Sequence, residues 1–371
     1  MNQKTISFFN YPALFEQRRE EYISAINDVC NRGAYIMQED LINFEENLQD
    51  YLGVKHAIGV ADGTMALLLS LMAAGIKEGD EVIVPAHTFI ASAAAIHHLG
   101  AIPFLVDCGE DHLIEPVSVR KAISEKTRAI MPVQLNGRVC NMDPILEIAN
   151  ENDLMIIEDS CQSLGAKYKN QFAGTFGIAG TFSFFPAKTL GCFGDGGAVI
   201  TDDDDTANRV RMFRDHGRDP IDGKVKSFGF NSRLDNMQAA ILNIKMKYYD
   251  EDIQRRREIA SIYDDNLKNL DTLLLPPGPD SDPDHFDIFQ NYEIEAESRD
   301  NLRDYLSDNG IGTIIQWGGD TINQFENIKL SQTELGNTNH MTEKFMLLPL
   351  HPMLNDSDVD FICEKIRSFY S

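Results

Sequence analysis

Residues 57–202 predict an α/β fold with a largely parallel sheet, and the chain beyond about residue 234 predicts a smaller α+β region. Short β-rich runs recur through the first part: AIGVA (57–61), EVIVPA (81–86), IPFLVDC (102–108), RAIMPVQ (128–134), LMIIEDS (154–160), GTFSFFP (180–186) and GAVITD (197–202). Most are separated by helix-like stretches such as MALLLSLMAAGI (65–76) and MDPILEIANEN (142–152). The runs are near-continuously apolar, as strands are when helices cover both faces of a sheet. The character then changes. Residues 234–268 are polar and helical in pattern, PPGPDSDPDHFD (276–287) reads as a loop, and NYEIEA, RDNLRDYLSDNG and GIGTIIQW follow. The expected domains are residues 1–245 and 246–371.

The bulk properties narrow the function classes. A chain of 371 residues with 43% hydrophobic content can bury a large core. Its apolar runs fall short of the ~18–20 residues of a membrane span. MNQKTISFFNYP lacks the basic and apolar regions of a secretory signal. A net charge of −25, from 58 acidic and 33 basic residues, argues against non-specific nucleic-acid binding. The six cysteines are scattered with no CxxC pair, so no zinc site is expected and a reducing cytoplasm suits the chain. The acidic run Asp202–Asp205 reads as a solvated turn after a strand.

Ligands of parallel sheets sit at the carboxyl ends of the strands. There the sequence places Gly63-Thr64, His87-Thr88-Phe89, Asp159 with Gln162, and Lys188 in SFFPAKTLGCFGDGG. Taken singly, each has a plain reading. Asp159 serves as a helix cap, and Gly63-Thr64 serves as a cap or a phosphate site at a positive helix end. Ser183 and Phe89 belong to the core, His87 and Cys161 are structural, and Asn231-Ser232-Arg233 forms a polar turn. Lys188 stands out because a lysine between an aromatic strand and a glycine-rich turn can serve as an amine, forming a Schiff base with a carbonyl. Together, a Schiff-base lysine, a carboxylate, a helix-end phosphate site and an aromatic platform are the needs of pyridoxal phosphate. Its pyridine nitrogen stays protonated beside a carboxylate.

The chain resembles the DegT/DnrJ/EryC1/StrS sugar aminotransferases, fold type I pyridoxal-phosphate enzymes. The resemblance runs through RGAYIMQEDLINFEENLQDYLGVKHAIGVADGTMAL, GDEVIVPAHTFIASAAAI, IIEDSCQSLGAKYKNQFAGTFGIAGTFSFFPAKTLGCFGDGGAVIT, GFNSRLDNMQAAIL and LLPLHPMLNDSDV. It implies that Lys188 carries the cofactor, Asp159 pairs with the pyridine nitrogen, Gln162 lies beside the ring and Phe89 stacks on it. Gly63, Thr64 and Ser183 would hold the phosphate, and Asn231 would reach the phosphate of a partner subunit in a homodimer with shared sites. It further implies a ping-pong reaction through pyridoxamine phosphate, from L-glutamate to the C-3 or C-4 keto group of a nucleotide-linked deoxy sugar, in amino-sugar and surface-glycan biosynthesis. No metal, nucleic-acid or membrane partner is expected. A sugar dehydratase would carry histidine in place of Lys188, and a non-catalytic sensor would not need that lysine. Three segments depart from the family pattern. Gln134-Leu-Asn136-Gly stands where His-Leu-Tyr-Gly is common, Gln316-Trp317 stands where His-Tyr is common, and Gln38 stands where glycine is frequent. They bear on sugar and nucleotide specificity.

Overall fold

In the computed structural model, which describes residues 4–328 and 330–371, the seven expected strands all form. They are β1 (His56–Val60), β2 (Glu81–Pro85), β3 (Ile102–Val106), β4 (Thr127–Ile130), β5 (Met155–Asp159), β6 (Ala179–Ser183) and β7 (Gly197–Thr201). An eighth, β8 (Ser331–Gln332), completes a sheet of order β1-β7-β6-β5-β4-β2-β3-β8. Pairing is parallel from β6 through β8, and β7 alone runs antiparallel to both its neighbours. Two reversals restore the direction, so β1 points the same way as β6. The carboxyl ends of β1, β2, β4, β5 and β6 therefore share one edge of the sheet with the amino end of β7.

Burial explains the sequence pattern. Val82, Ile83, Val84, Ala129, Ile130 and Ile157 are all 0% exposed, because helices cover both faces of the sheet. The helix Gly63–Ala73 is itself sunk in the core through Ala66, Leu67, Leu69 and Leu71. The expected 65–76 helix thus starts two residues earlier, immediately after β1. Residues 234–268 form two helices, Asn236–Met246 and Tyr249–Leu267.

A second core forms around the antiparallel strands Leu273–Leu274, Tyr292–Ala296 and Phe345–Leu348 and the helices Arg299–Asp308 and Asp356–Phe369. Chain from both sides of the expected 245/246 division contributes to each core. Ile6 bridges to Ile311 and joins the second core, β8 returns to pair with β3, and helix Tyr249–Leu267 enters the first core at its start and the second at its end.

Two local readings change. The 276–287 loop ends in a short strand, His285–Phe286, paired with Lys167–Tyr168. The acidic run Asp202–Asp205 opens a helix, Asp204–Arg214. Asp203 caps it by accepting from Thr206 N at 2.6 Å, and Asp204 and Asp205 lie at the positive end of the helix dipole. Among the described residues no helix is long and apolar enough to cross a membrane.

Candidate active site

The shared strand edge opens into a cleft of about 620 Å³ lined by Gly63, Thr64, Phe89, Asp159, Gln162, Ser183 and Lys188. Seven of the eight expected site residues therefore meet in one place. Asn231 does not line it. That residue is exposed, and its backbone bridges to Asp215 at the base of the 215–231 segment. Asp195, Cys161 and Thr88, to which the sequence assigns no site role, also line the cleft, as does Trp317, one of the departures from the family pattern.

Sheet register brings the β1 turn against β6. Val60 and Ser183 both pair with Gly197, so the helix start at Gly63 comes to rest beside Ser183. Both glycines are needed for this approach. A Cβ on Gly197 would lie 2.4 Å from the Asp62 carbonyl carbon, and one on Gly63 would lie 2.8 Å from Ser183 Cβ. The helix is capped by Asp62, whose carboxylate accepts from Met65 N at 2.8 Å. Thr64 is thus not the cap. First-turn N–H groups have no acceptor within their helix, so Gly63 and Thr64 offer donors at the positive helix end, with the Thr64 and Ser183 hydroxyls alongside. This donor set suits a phosphate.

Asp159 is not a helix cap either. Its Oδ2 accepts from Ser92 Oγ at 2.7 Å, and Ser92 in turn hydrogen-bonds Thr88 Oγ1 at 2.8 Å. Its Oδ1 accepts from Cys161 N at 3.2 Å. The carboxylate is only 6% exposed, yet it still contributes to the cleft wall. Phe89 is 51% exposed, high for an aromatic side chain that begins a helix in the interior, and it presents a flat apolar face to the cleft. Gln162 is oriented by its Oε1, which accepts from Asn136 N at 2.9 Å and Asn291 Nδ2 at 3.3 Å.

Lys188 sits on the turn after β6, where its N–H donates to Phe185 O at 2.8 Å. The turn is clamped by Gln290, which sequence reasoning missed. Gln290 Nε2 donates to Ala187 O at 2.9 Å, and its Oε1 accepts from Thr189 N at 2.7 Å, gripping the chain on both sides of Lys188. Nothing in FDIFQNYEI marks that glutamine in advance. Gly191 lets the turn close, since a Cβ there would lie 2.7 Å from the carbonyl oxygens of Phe185 and Pro186. Burial lowers the Lys188 pKa from its ordinary value, against an opposing pull from Cys161 and Asp159. The amine is therefore easier to use as a nucleophile and base.

The departures from the family pattern fall into two groups. Gln134 is buried, and its Nε2 donates to Glu158 Oε2 at 2.7 Å. Glu158 also accepts from the backbone N–H of Gly174, Phe176 and Gly177, so this pair is structural. Asn136 and Gln316 instead meet each other, Gln316 Nε2 donating to Asn136 Oδ1 at 3.0 Å. Both also donate to the buried carboxylate of Glu293, at 2.9 and 2.6 Å respectively. His112 completes this cluster with Nδ1 at 2.7 Å from Glu293 and Nε2 at 3.0 Å from Glu295. Burial alone would lower the His112 pKa, but the hydrogen bonds to the two carboxylates prevail and raise it to about 10. Gln38 ends in an extended conformation before the helix Glu39–Leu52, outside the cleft lining.

An amine of lowered pKa, a buried carboxylate, an aromatic face and helix-end N–H donors in one cleft suit the covalent binding of a phosphorylated carbonyl cofactor. The comparisons narrow this class. Residues 16–367 match the profile of the DegT/DnrJ/EryC1/StrS aminotransferase family, and the chain belongs to that family. It is 41% identical over 315 residues to dTDP-3-amino-3,4,6-trideoxy-alpha-D-glucose transaminase of Streptomyces venezuelae, covering 84% of this chain and 82% of that one. It is 36% identical over 361 residues to a pleiotropic regulatory protein of Geobacillus stearothermophilus, covering 96% of each. The crystal structure of S. venezuelae DesV in complex with a ketimine intermediate matches with a TM-score of 0.94 and 36% identity over 98% of both chains. The protein is a pyridoxal-phosphate-dependent aminotransferase.

Asp159→Asn keeps the shape and the Ser92 contact but removes the charge. Transamination should fall at least ~10²-fold with the fold intact by circular dichroism, the lower range for losing a well-placed ionic group. Near-normal turnover would reduce Asp159 to an anchor for Ser92.

Proposed function

We propose that the protein moves an amino group from L-glutamate to the C-3 or C-4 keto group of a deoxy sugar linked to a nucleoside diphosphate, as a cytoplasmic homodimer. The observation that carries this reading is the convergence of Lys188 and Asp159 on one cleft with the helix-end donors of Gly63 and Thr64. The Streptomyces relative, named for a dTDP-sugar transaminase, supports the acceptor class. A ligand sensor on the same scaffold would need a pocket but not an amine of lowered pKa on a turn clamped on both sides.

In this reading Gly63, Thr64 and Ser183 hold the cofactor phosphate, Phe89 covers one ring face and Gln162 borders its edge. Asp159 places a negative charge where a protonated pyridine nitrogen needs one. When bound, pyridoxal phosphate supplies a carbonyl for covalent capture of amines and a ring that takes up the electron pair left by a departing proton. Lys188 does the proton work. Its amine receives the proton leaving the donor's α-carbon and later delivers one to the sugar carbon that gains nitrogen. A lowered pKa keeps the amine in its proton-accepting form for a larger fraction of the time.

The dimer is supported by exposed apolar side chains. Phe228 is 99% exposed and Ile221 91%, on the same 215–231 segment whose end carries Asn231. Apolar groups displayed on an extended loop are costly in water unless a partner covers them. With Asn231 outside its own cleft, a role in a partner's cleft fits an isologous dimer. The six free cysteines suit a reducing compartment.

Two experiments test this. The purified protein with L-glutamate and a panel of dTDP- and UDP-linked 3-keto and 4-keto hexoses should yield an amino sugar and 2-oxoglutarate by mass spectrometry. Consumption of glutamate with no amino sugar from any member of the panel would refute the acceptor class. For assembly, Asn231→Ala and Lys188→Ala subunits should each be impaired. Mixed, they should regain activity, because one site of the heterodimer then keeps both groups. Verified heterodimers without such recovery would return Asn231 to its own subunit.

A further inference from the structure

The lining of the cleft contains a strained residue that the chemistry above does not use. Trp317, the single tryptophan of the chain, lines the cleft with φ +53°, in the left-handed region that a bulky side chain avoids. Gly318 and Gly319 follow at φ +81° and +98°, so three consecutive residues hold a left-handed backbone. Such a conformation persists only where the surroundings impose it, and it concentrates at functional sites.

The imposing contacts are on either side of the ring. Gln316, immediately before it, is 5% exposed and is pinned by the Glu293 and Asn136 hydrogen bonds already described. The indole itself packs edge-on to His87, with ring centroids 5.0 Å apart and an interplanar angle of 61°. His87 Nε2 lies 3.3 Å from the same Glu293 carboxylate. Glu293 thus fixes both the residue before Trp317 and the ring against which it leans. Asn136 also connects the cluster to Gln162 in the cleft lining, because its backbone N–H donates to the Gln162 side chain. Asn136 and Gln316, both departures from the family pattern, thus meet through their side chains at the residue that precedes Trp317.

We propose that Trp317 is a specificity-determining platform for the hexose ring of the acceptor, held in place by the Gln316–Glu293 clamp. The proposal rests on the nucleotide-sugar reading above. An indole offers a large, rigid, largely apolar face with one N–H donor, which matches the C–H face and hydroxyl rim of a pyranose. The hexose is the fitting partner and the nucleobase is not. Trp317 shares its cleft with Lys188, where the keto carbon must come, whereas a pyrophosphate separates that carbon from the base. Gln316 is a positioning residue, since it acts through the indole.

Ping-pong kinetics separate this role from catalysis and from folding. Trp317→Ala should raise KM for the keto sugar by about tenfold, the size of one well-packed aromatic contact. Trp317→Phe should recover most of the loss, and both variants should convert L-glutamate in the first half-reaction at the parent rate. An unchanged sugar KM in Trp317→Ala, or equal loss in both half-reactions, would overturn the proposal. The parent holoenzyme provides a second readout, because its one tryptophan reports alone. Its fluorescence should change on adding dTDP-glucose or UDP-glucose but not dTDP or UDP. A response to the nucleotides alone would assign the platform to the base, and no response to any of the four would remove Trp317 from the acceptor site. If no keto sugar is aminated by the parent protein, the functional reading itself fails, which is a different result from a normal parent with an indifferent Trp317→Ala.

Discussion

A primary amine of lowered pKa, half-buried in the same cleft as a buried carboxylate, is the constraint around which the large sheet is arranged. Desolvation disfavours the charged form of Lys188, while Asp159 pulls the other way, and the balance leaves a lowered pKa. Neither group could hold its place on a flexible loop. Asp159 is the last residue of a parallel strand and is steadied by Ser92, while Lys188 is gripped through Gln290 on both flanking peptides. The reversal at β7 serves the same end. It returns β1 to the direction of β6, so that the start of the most deeply buried helix faces the lysine turn across Ser183.

The second core contributes by supplying clamps. Gln290 lies two residues before the strand Tyr292–Ala296 and Glu293 within it; the first grips the Lys188 turn and the second holds Gln316. A buried carboxylate is costly unless its oxygens are satisfied. Glu293 meets that demand with two side-chain amides and two histidines, drawn from segments far apart in sequence. Reaction chemistry and the candidate specificity wall are therefore tied to the same short strand.

Much of this was legible in the sequence because apolar strands and their polar ends have local signatures. The seven strand runs, and the residues just beyond them, needed only periodicity and the rule that ligands gather at carboxyl ends. Gly63, Asp159 and Lys188 stood out as candidates for that reason, whereas Ser183 reads as core in the sequence and enters the candidate site only through the family resemblance. Asp62 was not, because DGT offers three candidate caps and only backbone geometry chooses among them. Gln290 and Ser92 were hidden for another reason. Their contacts reach across stretches from 67 to 103 residues, and a glutamine or serine carries no pattern that reveals its partner. The unusual Gln316-Trp317 was noticeable as a departure, yet its left-handed backbone and its tie to Asn136 exist only in the folded chain.

The most direct measurement is the site of covalent attachment. Reducing the holoenzyme with borohydride and mapping its peptides should place the pyridoxyl group on Lys188, within the segment FSFFPAKTLGCFG. A label on any other lysine, or none on a protein that retains its cofactor, would contradict the account of this cleft.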